Sequence, residues 1–95
     1  MTDLRFVWNA HKAQINLRVH GVSFGEATTV FYDENAREYY DWNHSEKEER
    51  YLMLGISEKL RMLIVCHAYR KNDSIIRIIS ARKATKTESK QYQRD

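Results

Sequence analysis

The chain contains no proline, one cysteine and three glycines. Without proline, nothing imposes a kink or a cis turn; that fits uninterrupted elements but selects no fold. With Cys66 alone, an intramolecular disulfide is impossible, and a cytoplasmic setting is expected. Three glycines are too few for backbone to cradle phosphates in several places. Neither a phosphate-binding glycine loop nor a dinucleotide fingerprint occurs, and no cofactor is expected. Long hydrophobic runs are missing as well. The longest, Met62 to Cys66, suits a strand and falls far short of the ~20 apolar residues of a membrane span. The first ten residues hold no long apolar stretch, so a secretory signal is not expected. There is no repeat and no low-complexity tract. Ninety-five residues are read as one domain over 1–95, and a chain of that size buries only about 60–65% of its unfolded surface. One sheet covered by a few helices is near the limit.

What the sequence does have is charge, unevenly placed. From Ser74 to Asp95 there are six Lys/Arg against two acids; from Asp33 to Arg50, seven acids against three bases. The basic end suits a polyanion and the acidic stretch a basic partner, although such runs are also what a solvated face looks like.

Residues 4–8 read as a short strand. A helix then runs without a breaker to Gly21, a residue suited to ending one. Ser23 and Glu26 have capping-box spacing, and Phe24, Ala27, Val30 and Phe31 share one helical face, so a second helix is expected to end near Asp33. A weak strand over 37–42 follows, then an acidic loop. Leu52, Leu54 and Ile56 alternate as in a strand, 61–70 forms a near-continuous apolar strand, and 74–82 forms another. The turns near Glu58 and Asn72 are too short for parallel crossovers, so these strands pair antiparallel. Thr85 and Glu88 again have capping-box spacing and open a helix expected to reach about Arg94. The result is an α+β fold: a single antiparallel sheet of three to four strands, two N-terminal helices and a C-terminal helix.

Within "SIIRIISAR", strict alternation puts Arg77 on one face with Ile75, Ile79 and Ala81, and puts Ile76, Ile78 and Ser80 on the other. An unpaired buried guanidinium would cost several kcal/mol, on the order of the penalty for any uncompensated ion. Arg77 therefore either bridges to an acid, Glu48 or Glu49, or lines a cleft that receives an anion; a carboxylate holding it beside a ligand satisfies both. The four histidines show no i,i+4 ligand pair, and Cys66 and His67 point oppositely on a strand, so no metal site is read. His20 precedes Gly21 at a helix C-terminus, where the dipole favours a cation. His44, in a polar loop, and His67, near a strand end, are the candidates for proton transfer. Asp41, Glu46, Glu48 and Glu49 are acids that can serve with them. Arg50, Arg70, Arg77 and Arg82 together suit bidentate phosphate binding. RNA carries its own nucleophile, the 2′-OH, so such a set can cut it with only a base, an acid and cations against the phosphorane.

Three stretches in order resemble the BrnT-type ribonuclease toxins of bacterial type II toxin–antitoxin systems. They are "KAQIN" with "HGVSFGEA" (Lys12, Asn16, His20 to Phe24, Glu26, Ala27), "HSEKEERY" with Gly55, and "RKNDSIIRIISARKATKTE" carrying Arg70, Arg77, Ser80, Arg82, Ala84 and Glu88. The resemblance implies a RelE-like fold and a metal-independent endoribonuclease that arrests translation. It also implies a cognate BrnA-type antitoxin, in an assembly of two toxins and two antitoxins, with operator DNA reached only through the antitoxin. Under that reading Arg77 and Arg82 bind the phosphate and the transition state. His44 or His67 with Glu48 moves protons, and Arg50, Arg70, Lys12 and Lys83 contact RNA. The chain departs from the family pattern at Asn9, where Asp is usual, and at Val19, where Lys is usual. A harmless, non-catalytic partner in a repressor complex is the alternative.

Overall fold

The structure is a computed structural model and describes residues 4–92. Along the chain come β1 (Arg5–Val7), α1 (Ala10–His20), α2 (Phe24–Thr29) and a 3₁₀ turn (Val30–Tyr32). They are followed by β2 (Arg37–Tyr40), β3 (Tyr51–Ile56), β4 (Met62–Arg70), β5 (Ile75–Lys83) and α3 (Lys86–Ser89). The five strands form one sheet in the order β1-β5-β4-β3-β2. Strands β2 to β5 pair antiparallel, as their short connections require, but β1 joins the far edge parallel to β5, Phe6 opposite Ile76. The expected three to four antiparallel strands are therefore a five-stranded mixed sheet. Short turns constrain only strands adjacent in sequence. β1 reaches its partner across the whole chain, where no turn length forbids a parallel pairing.

Local chemistry accounts for the helices. Asn9 caps α1, its Oδ1 accepting from Lys12 N at 2.9 Å, so Asn here does the work an Asp would do. Gly21 ends the helix at φ 70°, its N–H returning to Leu17 O. Ser23 Oγ accepts from Glu26 N at 3.0 Å, but Glu26 does not complete the box. Its carboxylate is buried instead against Arg61 and Ser57. Thr85 and Glu88 form both halves of theirs. Helix α3 ends at Ser89 and turns follow to Tyr92; its expected extension to Arg94 lies outside the described residues.

The core lies between the helices and one face of the sheet. Val22, Phe24, Ala27 and Val30 pack there against Leu63, Val65, Ile76, Ile78 and Ala81. Gly55 lets the 3₁₀ turn come in: a Cβ there would lie 2.8 Å from Val30 Cγ1 and 3.0 Å from Ala36 Cβ.

One irregularity decides the geometry of the other face. Cys66 pairs with Ser80 but His67 pairs with Ile78, leaving Ile79 as an extra residue on β5. Alternation slips by one at that point. Ala81 joins Ile76 and Ile78 on the helix side, and Arg77, Ser80 and Arg82 share the opposite face with Ala68, Cys66 and Ile64. The strict alternation expected from the sequence, with Arg77 beside Ala81 and Ser80 across from it, is thus corrected by a single bulge. Beyond the three residues covered by β1, the edge of β5 is satisfied by a side chain. Buried Asn16 donates to Ala81 O at 2.8 Å and Val22 O at 2.9 Å, and accepts from Ala81 N at 3.1 Å.

Candidate functional site

The face of the sheet opposite the core carries an open cavity of about 360 Å³. Leu52 of β3, Ile64 and Cys66 of β4, and Ile79 and Ser80 of β5 line it. Asp41, Asn43 and His44 of the β2–β3 loop, with Arg50, close one side; Arg82 and Glu88 close another. The loop is held by its own polar groups. Asp41 N donates to Arg50 O at 2.9 Å, and Ser45 Oγ donates to Asp41 O at 2.6 Å while accepting from Arg50 N at 3.0 Å. This network fixes the loop without regular secondary structure.

His44 Nδ1 lies 3.1 Å and 3.2 Å from the two oxygens of the buried Asp41 carboxylate. That contact fixes the ring and leaves Nε2 free on a side chain 66% exposed. Asp41 also lies 3.8 Å from Cys66 Sγ. Burial, followed by the nearby Asp41 charge, pushes the Cys66 thiol up to about 11, so it is a neutral lining group and not a nucleophile.

Arg82 is clamped by Glu88, with Nη1 and Nη2 each 2.8 Å from one carboxylate oxygen. The bidentate pair holds Glu88 down to about 2 and raises Arg82 above its ordinary value. Glu88 thus caps α3 and orients Arg82 at once. Its capping spacing explained the residue fully in the sequence and hid the second role.

Glu48 gathers the other guanidiniums. It accepts from Arg77 Nη2 and from Arg50 Nε at 3.4 Å, and lies 3.8 Å from Arg70 Nη2. Burial works against its charge, but the Arg77 hydrogen bond and the charges of Arg77 and Arg50 outweigh it and hold the carboxyl below the usual range. Arg77 itself is 21% exposed and does not line the cavity; its Nε is buried without a partner. The bridge expected to Glu48 or Glu49 is made to Glu48.

The remaining candidates separate. His67 is fully buried on the helix face, its Nδ1 3.0 Å from Val65 O and its Nε2 2.7 Å from Glu38, with the Phe31 ring 4.7 Å away. The structure does not bring it to the cavity. Lys83 pairs with Leu63, so it belongs to the face opposite Arg82 and is exposed there. Lys12 lines a second groove with Ile15, Val19 and His20 of α1, which meets the first cavity at Ile79 and Ser80. Ser80 was visible only through the family resemblance. The spacing of the polar positions 77, 80 and 82, which no strict alternation can place on one face, was the available signal. Among the described residues no cluster of three His, Cys, Asp or Glu is placed to hold a metal ion.

Comparison with known proteins bears on what this face is for. The crystal structure of the Brucella abortus ribonuclease toxin, BrnT, matches with a TM-score of 0.66 over 88% of this chain and 100% of that one, at 20% sequence identity. At that identity the likeness concerns the fold. No curated protein matches in sequence. A family model described as "Ribonuclease toxin, BrnT, of type II toxin-antitoxin system" matches residues 8–88, from the edge of β1 to the glutamate that clamps Arg82. The chain belongs to the BrnT family of ribonuclease toxins of type II toxin–antitoxin systems.

Proposed function

We propose that the protein is a metal-independent endoribonuclease that cleaves single-stranded RNA by attack of the 2′-OH on its own phosphodiester, arresting translation. The observation that carries this reading is the convergence of an Asp41-held imidazole, Arg50, Arg82 and Ser80 on one cavity. His44 Nε2 takes the 2′-OH proton, and O2′ forms its bond to phosphorus. Arg82, Arg50 and the Ser80 hydroxyl face the non-bridging oxygens as charge builds on the phosphorane. The P–O5′ bond then breaks, O5′ takes a proton from solvent, His44 afterwards releases its own to solvent, and the products are a 2′,3′-cyclic phosphate and a 5′-hydroxyl. Arg77 and Glu48 act behind these groups, fixing Arg50 and the loop that carries His44. His67 and Lys83 have no part in the step.

The partner is an antitoxin of the BrnA type bearing a DNA-binding domain, with which the toxin represses its own operon. Incubating purified protein with total RNA in EDTA and mapping the ends tests the chemistry. Cleavage with cyclic phosphate ends is expected, and His44→Ala or Arg82→Ala should slow it about 10²–10³-fold, the usual worth of one transition-state donor. If both variants cut at the wild-type rate while folding normally, the site is misassigned.

A second reading has its own observation: Arg77 and Arg82 both already hold carboxylates. If those pairs never yield to phosphate, the chain is a non-catalytic partner in a repressor complex. Expression without the antitoxin separates the two, since only the enzyme arrests growth.

A further inference from the structure

Helix α1 buries little of what it carries. Asn16 is buried and Ala13 half-buried, whereas Ile15, Leu17 and Val19 are 36%, 52% and 64% exposed. A surface helix ordinarily turns its apolar stripe to the core. Here a small and a polar side chain meet the sheet, and Ile15 and Val19, four residues apart, stand together on an open flank. That flank is one wall of a groove of about 260 Å³, and Ile79 of β5 is the other. Ile79 is the bulged residue; with Ser80 it lines both this groove and the proposed cleavage cavity. Lys12 stands toward one end and His20 toward the other, about 12 Å apart along the helix axis. The helix contains no acid, and neither Lys12 nor His20 is in an ion pair among the described residues.

These features select the occupant. The walls are aliphatic and include no aromatic ring, so a nucleobase finds nothing to stack on. At this edge of β5 the N–H and C=O of Ala81 are both already bonded to Asn16, so an added strand finds no pairing there. A second copy of α1 would bring like charges together. What fits is an amphipathic helix with aliphatic side chains on one face and carboxylates about two turns apart beside them.

We propose that the groove between α1 and β5 is the docking site for an acidic amphipathic helix of the antitoxin. Its aliphatic side chains pack on Ile15, Val19 and Ile79, and its carboxylates meet Lys12 and His20. Because Ile79 and Ser80 belong to both hollows, a helix seated here reaches the rim of the cavity, and docking competes with RNA. That last consequence rests on the reading of the cavity as the site of RNA cleavage.

The test uses the full chain and the purified antitoxin encoded with it, with affinity read by calorimetry and RNA cleavage and sedimentation followed in parallel. Val19→Glu and Ile15→Glu alter exposed side chains, so melting by circular dichroism should stay near wild type. Each should weaken antitoxin binding at least about tenfold, as loss of a central contact does, and Val19→Leu should retain it. Salt should weaken wild-type binding, and Lys12→Gln should weaken it severalfold and flatten the salt dependence. The Val19→Glu protein should cut RNA at the wild-type rate yet resist inhibition by the antitoxin. Wild-type affinity in both glutamate variants refutes the docking site, whether or not the chain cuts RNA. Weakened antitoxin binding in a chain that never cuts RNA supports the docking site and overturns the cleavage reading alone. Binding that ignores salt and Lys12→Gln refutes the acidic helix. If Val19→Glu weakens RNA binding and leaves antitoxin binding intact, the groove belongs to RNA and the proposal falls. It falls equally if the variant only separates copies of this chain.

Discussion

Replacing Glu48 with Gln keeps the shape of the side chain and removes the one charge shared by Arg77, Arg50 and Arg70. Two limits bracket the cost. Breaking a fully buried ion pair costs about 3–5 kcal/mol because a charge is stranded, whereas an exposed pair is worth about 0–1 kcal/mol. Glu48 is 31% exposed and Arg77 21%, and the Arg77 Nε already lacks a partner. The expected loss is about 1.5–3 kcal/mol, between those limits. In a domain of this size each kcal/mol moves Tm by about 4–8 °C, so melting should fall by roughly 6–24 °C. Urea unfolding followed by circular dichroism gives the same quantity as a shift in midpoint at constant m. The double variant Glu48→Gln with Arg77→Met should regain most of the loss, because no cation is then stranded. RNA binding should hold or strengthen in the single variant and depend more steeply on salt, since freed guanidiniums can meet phosphates. An unchanged midpoint would refute the electrostatic reasoning. So would a stable variant that no longer bound RNA, because Glu48 would then touch the substrate itself.

Two further outcomes follow from the same structure. Arg61→Ala strands Glu26, whose side chain is 1% exposed and otherwise bonded to Ser57. A loss of about 3–5 kcal/mol is expected by chemical denaturation, and Arg61→Lys should recover part of it. Acid should destabilise the protein through the three carboxylates paired with arginines, and through Asp33, which accepts from Ile56 N and Tyr92. Glu26 is held down chiefly by the Arg61 hydrogen bond, and Glu48 by Arg77 and Arg50 against its burial; Glu88 is held down to about 2 by Arg82. Each has a folded-state pKa below its unfolded value, so its contribution is complete above about pH 4.5 and is lost as pH falls toward the folded value. Stability measured by urea titration should be insensitive to these groups above pH 5 and fall below it, and Glu88→Gln should make that fall shallower. A fall equally steep in Glu88→Gln would remove Glu88 from the account.

The local elements were legible because their signals are local. Gly21, the Ser23 and Thr85 caps, the left-handed backbone at Asn72 and Asp73, and the apolar faces of α2 and β4 each follow from a few neighbouring residues. Pairings set by distant residues were less legible. β1 could be recognised as a strand, but nothing near it names β5 as its partner. His67 could be recognised as lying on β4, but its face is decided by the packing of Phe31 and by Glu38, which is 29 residues away. The acids were the least legible. Glu26, Glu48 and Glu88 look alike as a helix residue, a loop residue and a capping residue, and only the fold assigns each its arginine.

The bulge at Ile79 connects these points to the site. On a regular strand Arg77 and Arg82, five residues apart, would face opposite ways, so the core would accept Arg82 and lose Ala81, or accept Arg77 and lose Ile76 and Ile78. One extra residue resolves the conflict: the apolar set 76, 78 and 81 turns to the helices, and 77, 80 and 82 turn to the cavity side. Hydrophobic burial thus drives the register slip, and placing two guanidiniums and a hydroxyl on one face follows from it. Arg82 spends two of its five N–H donors on Glu88 and a third on Lys83 O. The clamp therefore fixes the plane of the guanidinium while leaving donors for a phosphate, as a preorganised anion site requires. Under the proposed function, the same acid that stabilises the resting fold also holds the cation in place for RNA.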